Sequence, residues 1–156
     1  MIGWLCALLG GCDWIATKDL RPGESTIDDV RRLMGQPETV RERANGSKRY
    51  EYPRGPKGIQ TWMVEIDANG RFVSMSDALA ASNLQRVQPG MSRDQVRELL
   101  GRPGDIDRDN RSGQPVLTWK VADDRGGAEM FHVQFGPDDR VVKIERSADP
   151  ETVYTR

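Results

Sequence analysis

The sequence has little of what catalytic and metal-binding sites are made from. Among its 156 residues there are two cysteines, Cys6 and Cys12, and one histidine, His132. Both cysteines fall in the first dozen residues, so the remainder has neither a disulfide framework nor metal-ligand spacing such as Cys-x-x-Cys. No Gly-x-Ser-x-Gly motif and no later cysteine offers a nucleophile. We therefore predict a protein that is not an enzyme, with no catalytic residue, no cofactor and no metal site.

The remaining polar candidates have simpler structural explanations. His132 stands between Phe131 and Val133 on a predicted strand, where a lone histidine belongs to the outer face of a sheet more often than to a catalytic pair. A catalytic base is the alternative. Three aspartate pairs fit helix-cap and turn positions better than metal or acid–base roles, since no second ligand cluster accompanies them. These pairs are Asp28-Asp29, Asp123-Asp124 and Asp138-Asp139.

Charge of one sign is also missing. The chain has 23 basic and 24 acidic residues and a net charge of −1, so it lacks the excess of positive charge that is typical of proteins that bind nucleic acid. It contains no apolar run of about 20 residues, the length needed to cross a bilayer. The longest uncharged stretch is residues 1–12, Met1-Ile-Gly-Trp-Leu-Cys-Ala-Leu-Leu-Gly-Gly-Cys12.

What the sequence does contain is one motif that occurs twice, which we call the helix phrase. Residues 22–37 and 89–103 share Pro-Gly, a Ser/Thr cap, Val-x-x-x-x-Gly and a proline. Thr26 and Ser92 are placed as N-caps, with Asp29 and Gln95 three residues later as the second halves of capping boxes. The apolar spacing is helical, and a glycine followed by a proline ends each segment. Each phrase predicts a helix of about nine residues, which is marginal alone and must pack on something else.

Strand signals follow each helix. Asn45-Gly46 predicts a two-residue hairpin turn, and alternating apolar residues follow in both copies, with Trp62 aligned to Phe131. The fold class is therefore α+β: a tandem repeat of a small unit in which a short helix, or helix pair, packs on one face of a three- to four-stranded antiparallel sheet and leaves the other face wetter. The predicted segments are 1–12, 20–76 (first unit), 77–86 (a helical linker), 87–147 (second unit) and 148–156 (a polar tail).

The amino terminus has the pattern of a lipoprotein signal. Leu9-Gly10-Gly11-Cys12 resembles the bacterial lipobox, whose cysteine becomes the acylated first residue of the mature protein. We expect Cys12 to carry the lipid, because a thiol is needed for the thioether link. No Lys or Arg precedes the apolar run, so the true start could lie in a longer leader. The alternative is an apolar N-terminus with a chance Gly-Gly-Cys.

A lipobox followed by this helix phrase resembles the SmpA/OmlA family, the BamE-like lipoproteins of Gram-negative envelopes. The resemblance implies two short helices on a three-stranded antiparallel sheet and a periplasmic, membrane-anchored location, with inner or outer membrane undecided. Tandem units also resemble the beta-lactamase inhibitory proteins, which bind another protein through a concave sheet. The matching residues are Gly23, Thr26, Val30, Gly35 and Pro37 in the first copy and Gly90, Ser92, Val96, Gly101 and Pro103 in the second.

The resemblance implies a protein-binding scaffold in outer-membrane assembly or maintenance. Its partners would be envelope proteins, with the outer-membrane β-barrel assembly machinery as one candidate, and the membrane through acylated Cys12. The alternatives are an inhibitor or sensor of a periplasmic enzyme, acting through a sheet face, and a small-ligand or enzymatic domain. The candidate partner-binding residues are of two kinds. Some are aromatic residues on predicted strands that could lie on an uncovered sheet face, and others are basic residues near the first hairpin. They are Tyr50, Tyr52, Trp62, Trp119, Phe131, Arg54 and Lys57.

Overall fold

The structure is a computed structural model that describes residues 19–54 and 58–153. The elements in chain order are α1 (Ile27–Met34), β1 (Thr39–Glu42), β2 (Lys48–Pro53), β3 (Thr61–Ile66), β4 (Phe72–Asp77), α2 (Ala81–Leu84), α3 (Arg93–Leu100), β5 (Asp105–Arg108), β6 (Pro115–Ala122), β7 (Ala128–Phe135), β8 (Val141–Ala148) and α4 (Pro150–Val153). Strands β1 to β4 form one antiparallel sheet, sheet 1, and strands β5 to β8 form another, sheet 2. The predicted fold class, an α+β tandem repeat, is confirmed.

Both long helices begin with the capping box that the sequence predicts. In α1 the Thr26 hydroxyl accepts a hydrogen bond from the Asp29 backbone N–H at 3.3 Å, and the Asp29 carboxylate accepts one from the Thr26 backbone N–H at 2.8 Å. Ser92 and Gln95 make the same two contacts in α3, at 3.2 and 2.8 Å. These bonds satisfy amides that the first helical turn leaves without an intrahelical acceptor.

The two sheets have the same register. Tyr52 pairs with Trp62 between β2 and β3, and Trp119 pairs with Phe131 between β6 and β7. The pairing with the fourth strand shifts three residues after Trp62 and three residues after Phe131. Because both irregularities fall at the same place, residues of one unit can be matched to residues of the other strand by strand.

The first hairpin differs from the predicted two-residue turn. The Arg43 backbone N–H donates to the Ser47 carbonyl at 2.9 Å, so three residues form the loop. A two-residue type I′ turn needs positive φ at both central residues, and here Gly46 has positive φ (79°) while Asn45 does not. The Asn45 side chain instead accepts a hydrogen bond from the Ser47 backbone N–H at 3.1 Å, which stabilises the longer loop.

Each unit has a core between its helix and one face of its sheet. In the first core Val30 of α1 packs with Tyr50, Val64 and Ile66 of sheet 1. In the second core α3 packs on sheet 2, and the predicted linker contributes to it as well. The buried members of the second core are Leu79, Leu84, Val87, Val96, Leu100, Leu117, Trp119, Val121, Phe131, Val133, Phe135 and Val141.

The second face of sheet 1 packs against the end of α3. A Cβ atom placed on Gly101 would lie 2.7 Å from Met63 Cε and 3.3 Å from both Glu51 Oε2 and Thr61 Cγ2. Those three sheet residues are buried, although a wetter second face was predicted, because the other unit covers them. The layers therefore follow the order α1, sheet 1, α2 with α3, and sheet 2. Among the described residues no helix layer lies over the centre of the second face of sheet 2, and Asp149 and α4 contact this face at Lys120.

The segment after β8 is fixed to the second sheet. Asp149 is buried and its side chain accepts a hydrogen bond from the Glu151 backbone N–H at 3.0 Å at the start of α4. Lys120 of β6 lies 2.7 Å from the Asp149 carboxylate and 3.1 Å from that of Glu151. The hydrogen bond to Asp149, and then that to Glu151, raises the pKa of Lys120. The predicted polar tail thus begins with an ordered ionic contact.

Candidate functional site

The aromatic residues predicted as partner anchors lie on the faces that the helices cover. Tyr50 and Tyr52 are buried in the first core, and Trp119 and Phe131 are buried in the second. Burial raises the pKa of the Tyr52 hydroxyl. A buried side chain cannot contact a partner while its unit is folded, so these four are core residues rather than surface anchors. Trp62 is half-buried at the edge of the first core and keeps some accessible surface.

The remaining predicted site residues have different positions. Arg54 is exposed just after β2, where its backbone N–H donates to the Gln60 carbonyl at 3.1 Å. Lys57 and the predicted lipid-bearing Cys12 lie outside the described residues. Their roles stay predictions from the sequence.

An ionic cluster joins the two units. Glu98 of α3 is at its centre, because its carboxylate lies 2.8 Å from Arg49 Nη1, 3.0 Å from Arg43 Nη2 and 3.9 Å from Arg41 Nη1. The Glu98 backbone carbonyl also accepts a hydrogen bond from Arg49 Nη1 at 2.6 Å. Arg102 makes a further ion pair with Glu38 across the same boundary. The basic residues near the first hairpin therefore find an acidic partner within the chain.

Two glutamates of sheet 1 complete the cluster. Arg41 Nε donates to Glu51 Oε1 at 3.0 Å, and Arg49 Nε contacts Glu65 Oε1 at 2.5 Å. Glu51 is only 1% exposed, and Arg41 supplies the cation that a buried carboxylate needs, while Glu51 Oε2 has no hydrogen-bond partner among the described residues. With three arginines and three glutamates the cluster is neutral, so it fixes the orientation of α3 on sheet 1 more than it attracts an external ion.

Two patterns in the sequence indicate this cluster. Arg41 and Arg43 alternate along the first strand and therefore share a sheet face, and Arg49 pairs directly with Arg41 across the hairpin. In the repeated helix phrase, Glu98 stands where the first copy has Arg32. A basic sheet face and an acidic residue on the other unit's helix indicate that the two surfaces meet.

A cleft of about 840 Å³ opens beside the ionic cluster, between sheet 1 and the helices of the second unit. Its walls combine ion-paired arginines with the apolar side chains of Met63, Met91 and Leu99. Arg86 at its rim donates to the Asn83 side chain at 3.3 Å. Arg41, Arg49 and Glu98, three of the charged groups along the cleft, are already paired within the ionic cluster.

The uncovered side of sheet 2 is the second notable surface, and we call it the open face. A row of polar side chains crosses it: His132 Nδ1 lies 2.8 Å from Thr118 Oγ1, and His132 Nε2 lies 2.8 Å from Ser147 Oγ. A depression of about 230 Å³ lies beside this row. Both ring nitrogens contact hydroxyls, and no carboxylate orients the ring as a catalytic triad requires. The predicted outer-face position of His132 is what the structure shows.

The aspartate pairs occupy cap and turn positions. Asp29 belongs to the α1 capping box, and the hydrogen bonds from Thr26 lower the pKa of its carboxyl. Asp123 accepts hydrogen bonds from the backbone N–H groups of Arg125 (2.8 Å) and Gly127 (2.6 Å) in the β6–β7 turn. In the part of the chain that the structure describes, no group of three or more His, Cys, Asp or Glu side chains could hold a metal ion.

Comparison with protein families gives one match. Residues 78–108, which contain α2, α3 and all of β5, match the family model of the outer membrane protein assembly factor BamE domain. The resemblance to the BamE-like family is thereby confirmed at the second helix phrase. A search of curated proteins finds no match. Among residues 19–54 and 58–153, no helix has the length and apolar character to cross a bilayer.

Two solved structures are similar to this chain at low sequence identity. One is a DUF4309 family protein, YjgB, from Bacillus subtilis subsp. subtilis strain 168, with 15% identity, a TM-score of 0.34, and coverage of 86% of this chain and 85% of the other. The second is a proposed beta-lactamase inhibitor protein from Streptococcus mutans, with 12% identity, a TM-score of 0.35, and coverage of 86% and 93%.

Proposed function

We propose that this chain is a non-catalytic, lipid-anchored envelope protein that acts as a protein-binding scaffold in outer-membrane assembly or maintenance. The observation that carries the proposal is the match of residues 78–108 to the BamE domain, in a chain whose first residues resemble a lipobox ending at Cys12. The matched segment holds α3, the helix that both sheets contact. The anchor would be a diacylglycerol on Cys12, with about 0.8 kcal/mol of membrane affinity for each buried methylene.

The described residues support binding rather than chemistry. The lone histidine contacts two hydroxyls, the arginines of the ionic cluster are neutralised within the chain, and the large aromatic side chains fill the cores. The open face of sheet 2 is a surface built from four strands, with polar side chains at its centre.

An inhibitor or sensor of a periplasmic enzyme is the second function that the sequence suggests. Such a protein would be favoured by an exposed aromatic row on one sheet face, because Tyr and Trp are enriched in binding hot spots. On the described part of the open face the central positions are instead Thr118, His132 and Glu145. This distribution favours the scaffold over the inhibitor.

The anchor is tested by replacing Cys12 and, as a matched control, Cys6. We expect Cys12→Ser to lose the mass of the lipid and to move from the membrane fraction to the soluble fraction, and Cys6→Ser to stay acylated and membrane-bound. Membrane partition of the Cys12→Ser chain together with an acylated mass would contradict the anchor.

The scaffold role is tested by crosslinking in living cells followed by mass spectrometry. We expect the neighbours to include proteins of the outer-membrane β-barrel assembly machinery. Recovery of no envelope protein would count against the proposal. Cells that express the Cys12→Ser variant provide the comparison, because loss of the anchor should remove membrane neighbours while leaving the folded units intact.

A further inference from the structure

The chain contains an internal example of how the second face of one of its sheets is covered. Sheet 1 receives one side of α3, formed by Gln95, Glu98, Leu99 and the terminal Gly101. The equivalent face of sheet 2 is the open face. The equivalent side of α1 is also uncovered by the other unit, and we call it the outer side of α1: Asp29, Arg32, Leu33 and Gly35.

The matched registers show which residues correspond. Arg41 pairs with Arg49, three residues before Tyr52, and Asp107 pairs with Val116, three residues before Trp119. Asp107 of sheet 2 therefore occupies the place of Arg41 in sheet 1.

The turn residues correspond in the same way. The Arg43 backbone N–H donates to Ser47, and the Asp109 backbone N–H donates to Gln114, at 2.9 Å each. Ser47 and Gln114 each lie five residues before the Tyr52 and Trp119 positions, so Asp109 occupies the place of Arg43.

The charges are therefore reversed on both sides of the equivalent contact. Sheet 1 presents Arg41 and Arg43 to Glu98, whereas sheet 2 presents Asp107 and Asp109 at those positions, and α1 has Arg32 where α3 has Glu98. The Arg32 side chain is 73% exposed, although it also contacts Asp29 of its own helix. Lys143, which lies beside Asp109 on this face, is paired with Glu145 at 2.7 Å and also attracts the Asp109 carboxylate. That carboxylate accepts hydrogen bonds from the Ser112 hydroxyl and backbone N–H at 2.7 Å each, and these bonds lower the pKa of Asp109, so it stays negatively charged.

The glycine at the end of each helix gives a second parallel. Gly101 lets α3 approach sheet 1 so closely that a Cβ atom would meet three side chains, whereas a Cβ atom on Gly35 would meet nothing within 4 Å. The end of α1 thus has the same backbone conformation as the end of α3, and among the described residues no surface lies against it.

We propose that the open face of sheet 2 binds the outer side of α1 from a second copy of this chain, with Arg32 of one copy between Asp107 and Asp109 of the next. The layer order helix, sheet, helix, sheet then continues from one molecule into another. Such a contact is head-to-tail, so it leaves a free open face at one end and a free α1 at the other, and it builds chains or rings rather than closed symmetric dimers.

Within one molecule the corresponding contact is supported by a short linker, which gives an effective concentration in the millimolar range. The contact between two molecules has no linker to raise the effective concentration, and its attraction comes from opposite charges. We therefore expect weak association that added salt reduces. The proposal uses only surfaces of this chain and does not rest on the proposed envelope function.

The test is sedimentation velocity of the full chain at low ionic strength with a reductant present, from about 10 μM to about 1 mM. We expect the sedimentation coefficient of the unmodified chain to rise with concentration. The variants Asp107→Arg and Arg32→Glu should each need at least tenfold higher concentration for the same association, because each places like charges together. An equimolar mixture of the two variants should regain much of it, since each contact between one variant and the other then joins opposite charges.

The matched controls are Asp124→Arg and Arg125→Glu, the same charge changes on exposed residues of the β6–β7 turn at the other end of sheet 2. We expect both to associate as the unmodified chain does. A misfolded variant could not be restored by mixing, so the mixture also separates lost folding from lost contact. The proposal is overturned if the unmodified chain stays monomeric throughout, if all variants associate equally, or if the mixture does not regain association.

Discussion

The two units share a helix phrase, a register and a core position, yet the second faces of their sheets differ. In the first unit this face carries Glu51, Met63 and Thr61 buried beneath the end of α3. In the second unit the equivalent His132 and Met130 are half-buried on the open face, and Thr118, although buried, contacts His132 of its own sheet. The difference shows that the unit's fold depends on the repeated phrase and the strand pattern. What lies over the far side of each sheet depends on the residues that vary between copies.

The largest expected contrast concerns equivalent aromatics. Phe131 is buried in the second core, and Trp62, which occupies the equivalent position in the first unit, is half-buried. We expect Phe131→Ala to lower the free energy of unfolding by about 3–5 kcal/mol, because it leaves a cavity and removes the ring under the Arg146 guanidinium. Trp62→Ala should cost about 1–2 kcal/mol, because its ring is only partly removed from water. Urea denaturation of both variants measures the difference, and equal losses would contradict the contrast.

The next contrast uses the two helix-ending glycines. Gly35→Ala should cost about 1–2 kcal/mol, since alanine is strained at positive φ. Gly101→Ala should cost at least about 1 kcal/mol more, because the new methyl group meets Met63, Glu51 and Thr61. A double-mutant cycle with Met63→Ala provides the control. If the excess cost comes from contact with sheet 1, Gly101→Ala should cost less in the Met63→Ala background than in the unmodified chain, as measured by thermal unfolding.

A smaller effect is expected at the ionic cluster. Glu98→Gln leaves Arg41, Arg43 and Arg49 without their shared carboxylate and should cost about 1 kcal/mol, a modest figure because Glu98 is 47% exposed. Its equivalent in the first unit, Arg32→Gln, should change stability by less than about 0.5 kcal/mol. The Glu98 effect should shrink as salt is raised, which denaturation at several ionic strengths would show, and an effect independent of salt would point to packing instead.

The smallest contrast lies between the capping boxes and depends on pH. Hydrogen bonds from Thr26 hold the pKa of the Asp29 carboxyl below its ordinary value of 3.8. The ionised carboxylate therefore stabilises the folded α1 fully above the unfolded pKa, and this stabilisation is lost as the pH falls through the lowered pKa of the folded state. Gln95 holds the same place in α3 and does not titrate. The protection of α1 amides against exchange, taken relative to the intrinsic rate at each pH, should therefore fall in acid more than the protection of α3 amides. Asp29→Asn should remove the difference between the helices, and its persistence in that variant would assign it elsewhere.

Local features could be predicted because their causes are local. The capping boxes at Thr26 and Ser92 and the short helices follow from residues within a few positions of each other. The predicted turn of the first hairpin was wrong in detail, because an Asn-Gly pair is compatible with both a two-residue turn and a three-residue loop. The aromatic anchors were placed on strands, but strand position alone does not say which face a helix covers. That is why Tyr50 and Trp119 belong to cores.

The two α+β units can be predicted from the sequence, because capping, helical spacing and strand alternation are short-range properties that occur twice in the chain. The position of α3 on sheet 1, with Glu98 among three arginines, and the open face of sheet 2 are visible only in the folded molecule. Residues 41 and 98 are far apart in sequence. Their meeting depends on how two whole surfaces fit, which no local preference encodes.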